Sequence, residues 1–270
     1  MRRALALALA LALVLAACAG EKTRERPPRA QQVIDLGRQG QAAYHKGDLP
    51  RAARLFEQAL TDALRIEDSE GVAVMSINLA RVSRESGDSA RALNGLEAIS
   101  PWHRGNIAAG TGREIALLGA VLLSDLGRSE EALARVQALR EQCQSSCEMA
   151  IGIDSLQARL LLEKGDAGSA ARLATAAIAR FGAHANQLEL ANLLRVQGEA
   201  RLVLGDFPAA KQAMEHALSI DKALGQPAKI AQDLEALARG ALAAGDMAAH
   251  AGYLARLEEV RQARAGRTAR

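Results

Sequence analysis

Apolar residues recur along most of this chain at i, i+3, i+4 and i+7, the spacing that lays one stripe along an amphipathic α-helix. The segment "GVAVMSINLARVSRES" (71–86) is one example, and such segments run for roughly 15–18 residues before a glycine interrupts them. One stretch departs from this pattern. Residues Ala4–Leu15 are apolar without a break, preceded by Arg2 and Arg3 and followed by small residues. That run is about half of the roughly 20 residues a helix needs to span a bilayer. It reads as a secretory signal, excluded from the fold argument.

The interrupting glycines are evenly placed. "KGDLPRAARLFEQAL" (46–60), "SGDSARALNGLEAIS" (86–100), "LGRSEEALARVQALR" (126–140), "KGDAGSAARLATAAI" (164–178), "LGDFPAAKQAMEHAL" (204–218) and "AGDMAAHAGYLARLE" (244–258) align on Gly47, Gly87, Gly127, Gly165, Gly205 and Gly245, in steps of 40, 40, 38, 40 and 40. Each copy predicts a helix before the glycine, a left-handed glycine that ends it, an Asp or Ser that caps the next helix, and then that second helix. Small residues at 52, 92, 132, 170 and 210 let the two helices approach closely, and His250 takes that place in the sixth copy and predicts a looser pair. A lone helix pair cannot bury its apolar face, but stacked pairs share a continuous core.

Composition fits this reading. The 270 residues are 49% hydrophobic and 24% charged, with 2% aromatic and 6 prolines, so strong helix formers dominate and an all-α fold is expected. Removing the signal takes away two arginines and lowers the formal charge from +3 to +1. A chain this near neutrality carries no electrostatic case for nucleic acid.

Two resemblances sharpen the picture. Leu15-Ala16-Ala17-Cys18 resembles the lipobox of bacterial lipoproteins, which implies cleavage before Cys18 and a covalent lipid on it. A plain A-x-A cleavage leaving Cys18 as a stray thiol is the alternative. A fully lipidated Cys carries several acyl chains, enough for stable anchoring. Ala19 stands where an inner-membrane retention Asp would stand, which implies the outer membrane, facing the periplasm. The repeats resemble the tetratricopeptide repeat family: Gly40, Gly47, Asp48, Ala52, Phe56 and Ala59 match its pattern, as do Leu79, Ala80, Gly87, Asp88, Ala92 and Leu96, and in part Gly198, Gly205, Asp206, Ala210, Met214 and Ala217. The period exceeds the usual value of about 34 residues and resembles the longer-helix subclass found in peptide-binding scaffolds. The expected architecture is a right-handed α-solenoid of about six helix-turn-helix pairs. Its divisions are a signal over 1–17, a polar tether over 18–30, the solenoid over 31–263 and a polar tail over 264–270.

The resemblance implies function only as a class, an interaction scaffold. In this family the first helix of each pair lines the inner face, so counting back from each glycine gives candidate partner-binding residues: Arg38, Gln41, Asn78, Arg81, Arg159, Glu199 and Arg239. Asn78, in "INLA", resembles the "NLG" whose Asn binds peptide backbone, and Arg81, Arg159 and Arg239 would meet carboxylates of a peptide. Trp102, the sole Trp, sits in the loop between the second and third pairs as a candidate anchor for a partner.

Candidate chemistry is thin. Cys143 and Cys147 are the only other cysteines, and in an oxidising envelope such a pair reads as a structural disulfide. A continuous helix would hold them about 5–6 Å apart at Cβ, against the roughly 3.5–4.5 Å a bridge needs, so the bridge implies a helix break between them. Redox-active thiols would want C-x-x-C spacing, and a metal site would want two further ligands nearby. The histidines at 45, 103, 184, 216 and 250 show no metal spacing, and "GTGREIALLG" (110–119) lacks the third glycine of a dinucleotide loop. The expected protein is therefore a non-catalytic, lipid-anchored envelope scaffold without cofactor or metal, binding a protein or peptide partner. The alternatives are a pilotin-like pilus or secretin assembly lipoprotein, an accessory of peptidoglycan or protease enzymes, self-association through the last helix, and, from another class, an envelope enzyme.

Overall fold

All six register glycines turn the chain through the left-handed region, with φ of +78° at Gly47, +84° at Gly87, +73° at Gly127, +86° at Gly165 and +77° at Gly205 and Gly245. A Cβ would strain that conformation, so glycine ends each first helix and frees the chain to reverse. The computed structural model describes residues 28–143, 147, 149–182 and 186–268. The expected lipidation site Cys18 and His184 lie outside the described residues.

Six helix pairs follow. They are α1 (Pro28–His45) with α2 (Leu49–Arg65), and α3 (Ser69–Glu85) with α4 (Ser89–Glu97). A one-turn helix, α5 (Pro101–Arg104), precedes α6 (Ala109–Asp125) with α7 (Ser129–Gln142). Then come α8 (Ala150–Glu163) with α9 (Ala167–Phe181), α10 (Gln187–Val203) with α11 (Phe207–Ala223), and α12 (Pro227–Ala243) with α13 (Met247–Thr268). Helix α1 starts at Pro28, ahead of the expected boundary at 31, because a proline in the first turn lacks only an N–H that has no partner there. Helix α13 continues past residue 263 to Thr268, so the expected tail is largely helical.

The caps explain the Gly-Asp pairs. Oδ1 of Asp48 accepts from the Arg51 N–H at 3.1 Å, and those of Asp88, Asp166, Asp206 and Asp246 accept likewise from Arg91, Ser169, Ala209 and Ala249 at 2.9, 2.9, 3.3 and 2.9 Å. The third copy has Arg128 instead and α7 has no side-chain cap. Arg128 pairs in fork geometry with Glu131, both contacts at 2.7 Å.

Packing follows the small-residue column: Ala52, Ala92, Ala132, Ala170 and Ala210 are all at most 1% exposed. Two glycines make room for the bulkiest knobs. A Cβ on Gly40 would lie 2.6 Å from the Phe56 ring, and one on Gly198 would lie 2.6 Å from the Met214 side chain. His250 takes the place of the alanine in the sixth copy, yet α12 and α13 pack no more loosely than the other pairs; its Nδ1–H donates to the Ala238 carbonyl at 2.9 Å. Beside it an apolar cavity of about 300 Å³ opens between α11, α12 and α13, lined by Phe207, Met214, Leu237, Ala241 and Tyr253 among others.

Successive first helices touch: α1 packs on α3, α3 on α6, α6 on α8, α8 on α10 and α10 on α12. Successive second helices do not pack comparably on one another among the described residues. The stack therefore curves toward its first helices, which form a concave face. Cys143 and Cys147 lie in the connection from α7 to α8, with Cα atoms 5.3 Å apart, inside the range a disulfide spans. This connection also falls within the one 38-residue step between register glycines.

Candidate functional site

The concave face is lined by polar side chains that reach from one first helix to the next. Arg81 on α3 pairs with Glu114 on α6 at 2.5 Å, and Arg84 pairs with Asp125 at 2.5 Å. Asp125 also faces Arg159 of α8 at 3.6 Å, and Arg159 faces Glu163 at 3.5 Å. Ser124 Oγ donates to Glu163 at 3.2 Å. Arg239 on α12 pairs with Glu199 on α10 at 3.5 Å. The convex side has its own spans, Arg91 to Glu57 at 3.5 Å and Arg135 to Glu97 at 2.8 Å.

Four of the residues singled out from sequence (Arg81, Arg159, Glu199 and Arg239) thus sit where first helices meet. They do not stand as unpaired charges, because each already has a neighbour of opposite sign. Asn78 is 7% exposed, and its Oδ1 accepts from Arg81 Nη1 at 3.5 Å, which makes it a support for Arg81 more than a free contact. Arg38 faces Asp35 of its own helix at 3.9 Å, and Gln41 is exposed.

Trp102 projects from α5 with 54% of its surface exposed, edge-on to His103. The loop beneath it is firmly held. Ser69 Oγ hydrogen-bonds His103 Nδ1 at 2.9 Å, Arg104 donates to the carbonyls of Ile99 and Leu96, and Glu70 accepts from the Ala108 N–H at 3.0 Å.

The strongest charge cluster was not read from sequence. Arg195 of α10 is 4% exposed and lies between Asp221 at the end of α11 and Asp233 of α12, both 0% exposed. Its Nε donates to Asp233 Oδ1 at 2.7 Å, its Nη2 to Asp221 Oδ2, and its Nη1 to Asn192 Oδ1 at 2.9 Å. Asp221 Oδ1 and Asp233 Oδ2 receive no hydrogen bond from a described residue. Burial pushes the Asp233 carboxyl up to about 6, with the Asp221 carboxyl acting in the same sense and Arg195 opposing both. The register carried a signal for this cluster. Counting by repeat, Asp233 occupies the column filled in the four middle copies by Met75, Ile115, Ile153 and Leu193, all at most 6% exposed, while the first copy holds Asp35, which is exposed.

Lys229, in the first turn of α12, is the other residue missed. Its Nζ reaches only Gln232 Oε1, at 3.5 Å, and no carboxylate pairs with it among the described residues. Burial, and then the charges of Arg195, Arg84 and Arg159, push its ammonium down to about 8, with Asp221 partly offsetting them.

Curved stacks of helix pairs with glycine turns occur in known structures. The crystal structure of a Rap protein complexed with competence and sporulation factor superposes with a TM-score of 0.68 at 14% identity, over 85% of this chain and 65% of that one. The fold is that of a tetratricopeptide-repeat solenoid. PilW, a type IV pilus biogenesis factor, superposes with a TM-score of 0.58 at 15% identity over 84% of this chain and 92% of its own. The pilF protein of Pseudomonas aeruginosa gives 0.56 at 15% identity, over 87% and 94%. No family model matches the sequence, and neither does any curated protein. At these identities the likeness is one of fold.

Proposed function

We propose that this protein is a lipid-anchored envelope scaffold that holds a protein or peptide partner in its concave groove and performs no chemistry of its own. The observation that carries the reading is the continuous inner face, built from six first helices and lined by charged side chains from several repeats. The Rap structure, solved with its factor bound, has the same architecture. Repeat solenoids use such extended inner surfaces for recognition. The test is photo-crosslinking in cells from probes replacing Arg81 and Arg239, with Gln58 on the exposed face of α2 as the outer control. A discrete adduct from both inner positions and none from Gln58 supports the reading, and adducts only from Gln58 defeat it.

A pilotin-like role in pilus or secretin assembly is the second reading, favoured by the near-complete span of PilW and pilF, 92% and 94% of their lengths. Anchoring through Cys18 is part of both. No helix among the described residues is long and apolar enough to cross a membrane, so the lipid is the proposed attachment. Cys18→Ser is expected to move the protein from the membrane pellet to the soluble fraction, and continued pelleting would remove the lipid from the proposal.

The Cys143–Cys147 bridge is proposed as a staple on the α7–α8 connection. Changing both to Ser is expected to lower stability by about 2 kcal/mol in the chain-entropy model for so short a loop. Urea unfolding of the double variant against the non-reduced parent measures it, and free thiols in protein isolated without reductant would contradict the bridge.

A further inference from the structure

The sixth helix pair is underfilled. The apolar cavity of about 300 Å³ between α11, α12 and α13 is walled by Phe207, Met214, Leu237 and Tyr253, the last three at most 8% exposed. Along α12 its lining is Gly240, Ala241 and Ala244. Five and four residues before the turn glycine, the second, third and fourth copies carry Val82–Ser83, Leu122–Leu123 and Leu160–Leu161, the first and fifth Ala42–Ala43 and Ala200–Arg201, and the sixth Gly240–Ala241. The sixth pair of residues is the smallest of the set, and leucine at both positions is compatible with the fold. A Cβ added at Gly240 would meet only Leu202, at 3.8 Å. The second helix does not make up the loss. Nine residues after the glycine, the first five copies place Phe56, Leu96, Val136, Ala174 and Met214, all at most 1% exposed, whereas Leu254 of the sixth is 43% exposed.

Nothing polar in this space lacks a partner. The charged residues that line it are Lys211 and Asp246, one of each sign, and both are exposed. Asp246 caps α13 by accepting from the Ala249 N–H at 2.9 Å, and Lys211 faces Glu215 at 3.9 Å. The Tyr253 hydroxyl donates to Glu215 at 3.0 Å. No lining side chain has a buried nitrogen or oxygen without a hydrogen bond. A water here would not find the roughly two to four polar partners it needs. The balanced charges of Lys211 and Asp246 favour neither sign of ion. What this space offers an occupant is apolar contact alone.

We infer that this cavity is a binding site for a compact, uncharged apolar molecule about the size of naphthalene. The volume stands at the lower end of the roughly 300–1,000 Å³ of small-molecule sites. It is about twice that of the roughly 150 Å³ apolar cavity known to take up benzene. Such a molecule takes the place of the two leucine side chains that the third and fourth copies carry, and a compact shape suits that replacement better than a long chain. It touches α11, α12 and α13 together, and so ties the fifth and sixth pairs to each other. None of the lining residues is among the charged residues of the inner face, so the inference is independent of the groove reading.

The test is scanning calorimetry of the full chain with and without near-saturated naphthalene. A ligand present at several times its Kd that binds only the folded chain is expected to raise Tm by about 2–4 °C. Ala241→Leu fills the cavity with the residue that the third and fourth copies already use. It is expected to raise Tm by itself and to remove the naphthalene shift, so the loss of binding cannot be laid to misfolding. Ala244→Leu enters the same space from the next turn of α12 and is expected to act likewise; it decides the matter if Ala241→Leu does not fold. Lys222→Met, on an exposed part of α11, is expected to leave the shift intact. No shift in the parent, or an equal shift in the parent and the filled variants, overturns the site. Decanoate is expected to give a smaller shift than naphthalene. A larger one, abolished by the filled variants, would make the occupant an acyl chain and overturn the compact class.

Discussion

Replacing Arg195 by alanine is expected to destabilise the protein by about 3–5 kcal/mol at neutral pH, the range found when one partner of a buried ion pair is removed. Two carboxylates, both 0% exposed, would then share a dry site without a cation. They would respond by taking up protons, so the penalty should shrink as pH falls toward 4. Urea midpoints measured across that range check it, and a penalty under about 1 kcal/mol at pH 7 would mean that water reaches the site freely.

Asp233→Asn gives the complementary result. The folded-state carboxyl of Asp233 titrates at about 6, above its ordinary 3.8. A raised acid binds its proton more tightly in the folded chain, so its contribution is fully present below about pH 4 and is lost as pH climbs through 6. Asparagine does not titrate and keeps an acceptor for Arg195 Nε and a donor for Asp221. The variant should therefore gain on the parent between pH 4 and 7, by up to roughly 3 kcal/mol.

The second large effect is in the first pair. Phe56 is 1% exposed, and its ring fills the space left by Gly40. Phe56→Ala is expected to cost about 3–5 kcal/mol, from lost transfer energy and the cavity left behind. Gly40→Ala alone should also destabilise, because its Cβ would meet the ring at 2.6 Å. Combined with Phe56→Ala, the same change should become neutral or favourable, since the methyl then enters the vacated volume. That reversal of sign is a coupling between touching residues. Strict additivity in denaturant unfolding would show that the pair does not pack as described.

Much of this was legible in the sequence, and the reason is repetition. A glycine that must adopt positive φ, an aspartate that caps, and an alanine that admits a neighbouring helix are each weak signals. Six copies of the glycine and five each of the aspartate and the alanine, all in one register, make them decisive. The Gly40–Phe56 match was visible as a family pattern, although its steric content appears only in the fold. The groove charges were harder. Counting back from the glycine placed Arg81, Arg159, Glu199 and Arg239 where first helices meet, but their partners, 33 residues away in the case of Glu114, depend on the stacking offset between repeats, which periodicity does not specify. Asp233 broke a column that is apolar in the four copies before it and could have been flagged. Arg195 and Lys229 could not, because their columns hold mixed residue types in the other copies.

The inner face has an uneven mechanical character. Arg81–Glu114 and Arg239–Glu199 are exposed ion pairs of the kind individually worth about 0–1 kcal/mol and weakened by salt. Arg195 with Asp221 and Asp233 is sealed from solvent and ties α10, α11 and α12 together. The Arg81–Glu114 pair is a soft link between α3 and α6, whereas Arg239–Glu199 spans the α10–α12 junction that the sealed triad already holds. Added salt is therefore expected to loosen the α3–α6 junction more than the α10–α12 junction, where the buried triad is shielded from it.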